Sequence, residues 1–314
     1  MRSHKLVIIA TVIVLLMFGL GVAAAADEKY EEKFNKTETI APDGKVKVTT
    51  ISGDIWVRTW DKSEVQINAL KTSRASSLEK AKANVDLVKI EVNKTMGGLE
   101  IITRYPEGEH KRLNVSVSYE LMIPAKAGLN AITVSGDVKT EKIGGALKAA
   151  TVSGNVDVLG AAKGVDAKSV SGNVTASGVT GDAYLKTVSG DVKVSDVVGS
   201  VSGETVSGEV SLSGVSEAKT VTAKVISGDV TYEGKILKDG RYTFKSHSGD
   251  VRVRIPADSA FDFSAETFSG GIETDFKVEV SGKLSKKELR GTVNGGGAEL
   301  TIESFSGDIR LKKI

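Results

Sequence analysis

The chain of 314 residues has no cysteine and only three histidines. The first absence excludes disulfides as a source of stability, a thiol nucleophile and a lipid-modified cysteine near the N-terminus. The second leaves few residues able to exchange protons near neutral pH. His4 lies in the N-terminal leader, His110 in a charged turn, and His247 at a repeat position held elsewhere by Val, Ile or Phe. His247 therefore reads as a packing residue at a corner rather than a catalyst. No Gly-x-Ser-x-Gly elbow, Gly-x-x-x-x-Gly-Lys phosphate loop or His-Glu-x-x-His zinc helix occurs. A charge excess is also missing. Removing Arg2 and Lys5 with the leader takes the 42 basic residues to 40, against 40 acidic ones. That balance gives no basis for a nucleic-acid or anionic-membrane partner, each of which needs clustered positive charge.

What the chain does have is one phrase, repeated. Thr-Val-Ser-Gly-Asp-Val at 133–138 returns with small changes at 151–156, 169–174, 187–192 and 205–210. Ser135, Ser153, Ser171, Ser189 and Ser207 stand 18 residues apart, and looser copies follow at Ser227, Ser248 and Ser269. Isolated copies lie at Ser52 and Ser306. Each unit divides into two nines with apolar residues at positions 1, 5 and 7, for example Val152, Val156 and Val158, then Ala161, Val165 and Ala167. Positions 5 and 7 alternate with polar residues, the pattern of a strand with one buried face. Ser-Gly-Asp/Asn makes a corner, since Gly accepts positive φ and Asp or Asn bonds its own backbone. A nine-residue unit cannot bury its face alone, so coils stack and share a core. The expected fold is all-β: a parallel β-solenoid of two sheets, with ~18-residue coils and irregular β caps at both ends. The three-residue step from position 7 to the next position 1 breaks strand parity, which leaves positions 8–9 as an alternative corner.

Residues 1–26 carry a basic head, an apolar run and an Ala-x-Ala end at Ala24 and Ala26, the pattern of a secretory signal peptide. An uncleaved anchor is the alternative, because Leu6–Ala26 is long enough to span a bilayer. Residues 27–36 read as a loose charged leader, and 37–122 as an N-terminal β-rich cap region with one short helix. Ser76-x-x-Glu79 is a capping box that starts this helix near Ser77; Ser77-x-x-Lys80 also spells an acyl-enzyme motif, without its partner motifs. The solenoid with its closing strands is assigned to 123–314. Phe261, Phe263, Phe268 and Phe276 are expected to enlarge the core near its end.

Candidate chemistry is limited to the corners. Asp229 and Asp250 could stack as a glycan-cleaving pair, but they follow the repeat, whereas a catalytic site should break it. Asp137, Asp191, Glu209, Asp229 and Asp250 share equivalent corners with Asn155, Asn173 and Gly271. One acid per corner is too few for calcium, which needs six to eight oxygens, so this column reads as structural. Sequons stand at Asn35, Asn93, Asn114 and Asn173.

With these residues in view, the chain resembles the “putative adhesin” family of exported bacterial and archaeal β-solenoids. The likeness rests on Val-Ser-Gly-Asp-Val, on Gly44–Val57 and on Leu300–Leu311, and it covers most of 37–314. It implies a cell-surface domain without established catalytic residues; related domains accompany envelope-stress signalling proteins. The expectation is a non-enzymatic, adhesin-like protein, exported to the cell surface or beyond. Its partner would be a surface glycan or an envelope protein, with no cofactor and no metal. The rival readings are an envelope-stress sensing scaffold with a membrane partner and a glycan-cleaving β-helix enzyme.

Overall fold

The computed structural model describes residues 27–106, 113–281, 285 and 287–314. The segment read as a signal peptide, and His110, lie outside them. Two sheets form the molecule, one of 13 strands and one of 14 among the described residues, and almost all neighbouring strands run parallel. The chain alternates between the sheets. Leu147–Ala150 lies in the 14-stranded sheet, Val156–Ala161 in the other, and Val165–Lys168 back in the first. Every 18-residue step sets Val156 beside Val138 on one side and Val174 on the other, so the repeat in the sequence is the register of the sheets.

The parity problem has a specific resolution. In the 13-stranded sheet, each repeat strand holds one residue with left-handed φ: Lys142 at 57°, Gly160 at 81°, Gly178 at 65°, Asp196 at 55° and Gly214 at 61°. This residue acts as a bulge: it is skipped in the pairing, and it returns Ile143, Ala161 and Val179 to the core. Among the described residues, the repeat strands of the 14-stranded sheet hold no such break. Alternation there runs on past the strand end, so that Thr151 points inward and Val152 outward. Position 1 is therefore buried in one half of each coil and exposed in the other, a correction to the expectation of a uniformly apolar interior. Phe268 follows the same rule and is exposed rather than in the core.

The stack is longer than the eight expected corners, and its order departs from chain order. Successive corner serines are Ser52, Ser135, Ser153, Ser171, Ser189, Ser207, Ser227, Ser248, Ser306 and Ser269. Both isolated copies thus belong to the column, and the solenoid starts at Lys45 rather than at 123. The final coil is wedged between those of Ser248 and Ser269. Nine steps of ~4.8 Å give a column about 43 Å long.

The ends are closed differently. Beyond the Ser52 coil, Gly98–Arg104 and Val115–Pro124 add a further parallel layer without a corner motif. Glu64–Ala75 then runs antiparallel, and Glu28–Thr39 pairs with it along its whole length. Residues 27–36 are therefore an edge strand, not a loose leader. Their charge masked an alternation in which Tyr30, Glu32 and Phe34 face the protein. Such a charged edge resists further strand addition. The helix Leu78–Leu87 covers this sheet with Ala81 and Val85; its cap is Ser77, which accepts from the Lys80 N–H, so the capping residue sits one place later than Ser76. At the other end, Glu288–Val293 closes on Phe261–Ser269 in antiparallel fashion.

Candidate interaction surface

Each corner is built from three ladders that run along the stack. Glycine at the centre is obligatory. Gly154 has φ 148°, and a Cβ there would run into the carbonyl oxygen of Gly136 in the coil before. Inside it lies a hydroxyl ladder: Thr151 Oγ1 donates to Gly136 O at 2.9 Å, Ser169 Oγ to Gly154 O at 2.9 Å, and Thr187 Oγ1 to Gly172 O at 2.8 Å. Outside it lies the acidic column. Asp137 Oδ1 accepts from Asn155 N at 2.7 Å, Asn155 Oδ1 from Asn173 N at 2.9 Å, and Asn173 Oδ1 from Asp191 N at 2.8 Å. The Asp or Asn side chain thus bonds the backbone of the next coil, not its own as expected. Asp and Asn interchange because both present the same accepting oxygen.

Asp229 and Asp250 do stack, and the residue between them decides their chemistry. Arg252 reaches Asp229 at 2.7 Å and Asp250 at 2.7 Å, and Arg310 reaches Asp250 at 2.8 Å and Asp308 at 2.7 Å. The backbone N–H of Asp308, followed by Arg310 and Arg252, holds the Asp250 carboxyl below its ordinary range. A general acid of a glycosidase needs the opposite shift. The arrangement binds coils together; it does not supply a proton donor. Ser77 is an exposed helix cap, with Oγ 3.3 Å from Lys80 N, and not a nucleophile paired with a base. Burial pushes the Tyr119 hydroxyl up to about 12 and raises those of Tyr232 and Tyr242. These phenols satisfy core hydrogen bonds such as Tyr242 Oη to Ala218 O at 2.7 Å. The sequon residues Asn35, Asn93, Asn114 and Asn173 are all exposed.

What remains for interaction is the outer surface of the sheets. On the 13-stranded sheet one row reads Trp56, Lys139, Asp157, Thr175, Lys193, Ser211, Thr231, Arg252 and Arg310, in register from coil to coil. Trp56 heads it, with the Arg58 guanidinium 4.3 Å and the Lys139 ammonium 5.4 Å from its ring centroid. The side chains are polar, mixed in sign and set ~4.8 Å apart. Sequence reasoning missed Trp56 because its repeat position is polar in every later coil.

The family model for Toastrack DUF4097 matches residues 145–312, which is more than half of the chain. The chain belongs to the Toastrack DUF4097 family. The matched range runs from the coils of the regular repeat to the wedged final coil, so it takes in most of the three ladders described above. No curated protein compared with the chain matches it. Several solved structures are similar over most of their length. One from Clostridium sporogenes, named a “putative cell adhesion protein”, shares 12% identity, covers 91% of this chain and 100% of its own, and has a TM-score of 0.23. One from Bacteroides fragilis, named a “putative adhesin”, shares 13% identity with coverages of 90% and 97% and a TM-score of 0.36. One from Parabacteroides merdae, with the same name, shares 9% identity with coverages of 90% and 96% and a TM-score of 0.36.

Proposed function

We propose that this Toastrack protein is a non-enzymatic, adhesin-like interaction protein, exported and displayed at the cell surface. The observation that supports the reading most is the unbroken polar row on the 13-stranded sheet. Rigid, evenly spaced Lys, Asp, Thr, Ser and Arg side chains suit many weak contacts with an extended surface ligand, a glycan or an envelope protein. The repeated Ser, Gly and Asp residues are spent on coil-to-coil bonds, so recognition falls to the variable outer positions. Export rests on the signal-peptide pattern of residues 1–26.

The test is a pulldown with the purified protein on surface glycans and envelope extracts, alongside Lys193→Glu and Asp157→Lys. Retention of glycan or envelope material that either substitution weakens severalfold supports the reading. Release of sugar fragments would replace it with a glycan-cleaving enzyme, and capture of one membrane protein alone would favour envelope sensing. N-terminal sequencing of the envelope fraction tests export, with a chain beginning near Asp27 as the expected outcome.

A further inference from the structure

The Ser-Gly edge of the stack carries a feature that the polar rows do not explain. The outward position before each corner serine holds Ile51, Val134, Val152, Val170, Val188, Val206, Ile226, His247, Phe305 and Phe268, one per coil in stacking order. All ten are exposed, from 40% at Val206 to 65% at Phe268 where values differ most. Together they present on the order of 800 Å² along one edge, nine of the ten side chains being apolar, against ~300–600 Å² for the largest apolar patch usual on a monomer. An isolated exposed valine needs no explanation; ten in register do.

We infer that this apolar column is the interface between two copies of the chain, lying side by side and antiparallel. Three observations select this occupant. The first is period. The column repeats every ~4.8 Å, whereas an extended peptide repeats every ~6.7 Å per residue pair, so side chains interdigitate along the whole length only with another parallel solenoid. The second is area. The column supplies about what each partner contributes to a stable association (~800 Å²). The third is charge. The midpoint of the column falls between Val188 and Val206, and the outward residues next to them are Lys186 and Glu204, 3.0 Å apart within one chain. A two-fold axis at this midpoint brings each lysine to the partner's glutamate and each glutamate to the partner's lysine, and it sets Lys168, which Asp166 neutralises at 2.9 Å, opposite the second copy's Lys224. Tyr184, outward on the same strand as Lys186 and 54% exposed, adds an aromatic beside the axis.

The antiparallel arrangement also matches the two ends. His247 stacks on Phe305 at 4.8 Å and Phe305 on Phe268 at 4.9 Å, with ring planes nearly parallel in both cases. Phe305 is covered on both faces and its two neighbours on one face each, which turns the ring edges outward. Under the two-fold axis those edges meet the partner's Ile51, Val134 and Val152, a bulky end against a slim one.

Sedimentation of the purified protein over roughly 1 to 100 µM, the range in which weak and tight dimers separate, should show a dimer. Val188→Lys, at an exposed position, should give a monomer that keeps the parent's circular-dichroism spectrum and melts at a temperature independent of its concentration. Asp157→Lys, on the other sheet, should stay dimeric. The absence of cysteine allows orientation to be read by oxidation of single-cysteine variants. Val188→Cys should crosslink with Val206→Cys, and Ile51→Cys with Phe268→Cys but not with itself. A monomer throughout this range, a dimer that survives Val188→Lys, or self-crosslinking of Ile51→Cys would each overturn the inference. None of these outcomes bears on ligand capture by the polar row.

Discussion

The coils of Ser135 to Ser207 and those of Ser227 to Ser269 solve the same problem with different residues. A column of corner acids must line up at ~4.8 Å, where each neighbouring pair repels by about 0.9 kcal/mol in water before salt screening. The first region dilutes the charge with Asn155 and Asn173, which keep the accepting oxygen and drop the negative charge. The second keeps three acids in a row, Asp229, Asp250 and Asp308, and threads Arg252 and Arg310 between them. The interiors differ in parallel. The first is filled by Val, Ala and Leu, the second by Tyr232, Tyr242, Phe244, Phe261 and Phe263. Where the spacing grows from 18 to 20 and 21 residues, larger side chains fill the wider section.

The two regions meet at a seam. Between the Ser207 and Ser227 coils, the step from Glu209 to Asp229 is the one in the acidic column that lacks the coil-to-coil bond, among the described residues. At the same step Val225 replaces the Thr or Ser of the hydroxyl ladder, so Gly208 O receives no hydroxyl. A register shift between Ser213 and Val215 falls here too. The lesson is that a ladder is local. Each rung depends on the residue supplied by one coil, and two substitutions in adjacent coils remove both side-chain rungs at this step while the backbone ladders of the two sheets run on.

The largest expected effect comes from breaking either interior. Val156→Asp places an unpaired carboxylate where Val156 is fully buried, a class of change that exceeds about 4 kcal/mol. Phe244→Ala, in the aromatic region, should cost about 3–5 kcal/mol through the cavity it leaves. Circular dichroism during chemical denaturation checks both; a midpoint within error of the parent for Val156→Asp would mean that the register is wrong. Because repeat proteins communicate only between neighbours, hydrogen exchange should show each lesion loosening its own side of the seam first.

Acid separates the regions next. Asp250 has its carboxyl lowered in the folded state, first by the Asp308 N–H and then by Arg310 and Arg252. A depressed folded value means stabilisation that is complete above the unfolded carboxyl value, ~3.9, and lost as pH falls through the folded one. The corner amides of Asn155 and Asn173 have nothing to protonate. The amide of Asp308, which donates to Asp250 Oδ1, should therefore lose protection below about pH 4 before those of Asn173 and Asp191. Equal loss in both regions would show that the arginine bridges contribute nothing to the difference.

Repairing the seam should have a smaller, opposite effect. Glu209→Asp shortens the carboxylate to the length used at every other rung, and Val225→Thr restores the hydroxyl opposite Gly208 O. Each adds one hydrogen bond, worth about 1 kcal/mol. The double variant should sharpen thermal unfolding as well as raise its midpoint, since coupling across the seam is what the native pair of residues lacks. Thr140→Val, which removes a buried hydroxyl without a partner, is the control that gains stability by a similar ~1 kcal/mol without touching either ladder.

How much of this was legible depended on whether the signal was periodic. Val156, Val174 and Val192 announce one buried row, and the stacking register follows from their spacing. Inversion at Thr151–Val152 was not legible, because the bulge that sets parity is carried by Gly in three coils but by Lys142 and Asp196 in two. Only Gly advertises a left-handed residue. The wedged coil was equally hidden, since Ser269 and Ser306 carry the same phrase and nothing local orders them. Gly271 donates its N–H to Asp308 Oδ1 at 3.0 Å and has no side chain to pass the ladder on, so the acidic column ends at the Ser269 coil. Strand Glu28–Thr39 was misread for a third reason: charge outweighed a period of two that Tyr30 and Phe34 mark plainly.

The smallest expected effect is the response to calcium, and it separates a structural column from a metal ladder. Calcium needs six to eight oxygens converging at about 2.3–2.6 Å, mostly from carboxylates. In the Ser135–Ser189 coils the column offers Asp137 and Asp191 with two amides between them, and the Oδ1 atom of each of these residues already accepts a backbone N–H. In the later coils the second oxygens of Asp229, Asp250 and Asp308 face Arg252 or Arg310. A cation entering there would have to displace a guanidinium that is bonded to two carboxylates at once, exchanging one positive partner for another. Neither region therefore gains from the ion. Melting in chelator and then in millimolar calcium should shift the midpoint by less than ~2 °C, under about 1 kcal/mol for a chain of this size. A rise above ~10 °C would require several kcal/mol of linkage and would mean that the carboxylates turn from the backbone to a metal. Arg252→Ala with Arg310→Ala sharpens the test, since it frees three acids in the second region only. Calcium should then raise the midpoint of the double variant while leaving the parent unmoved, which would show the arginines standing where a metal otherwise could.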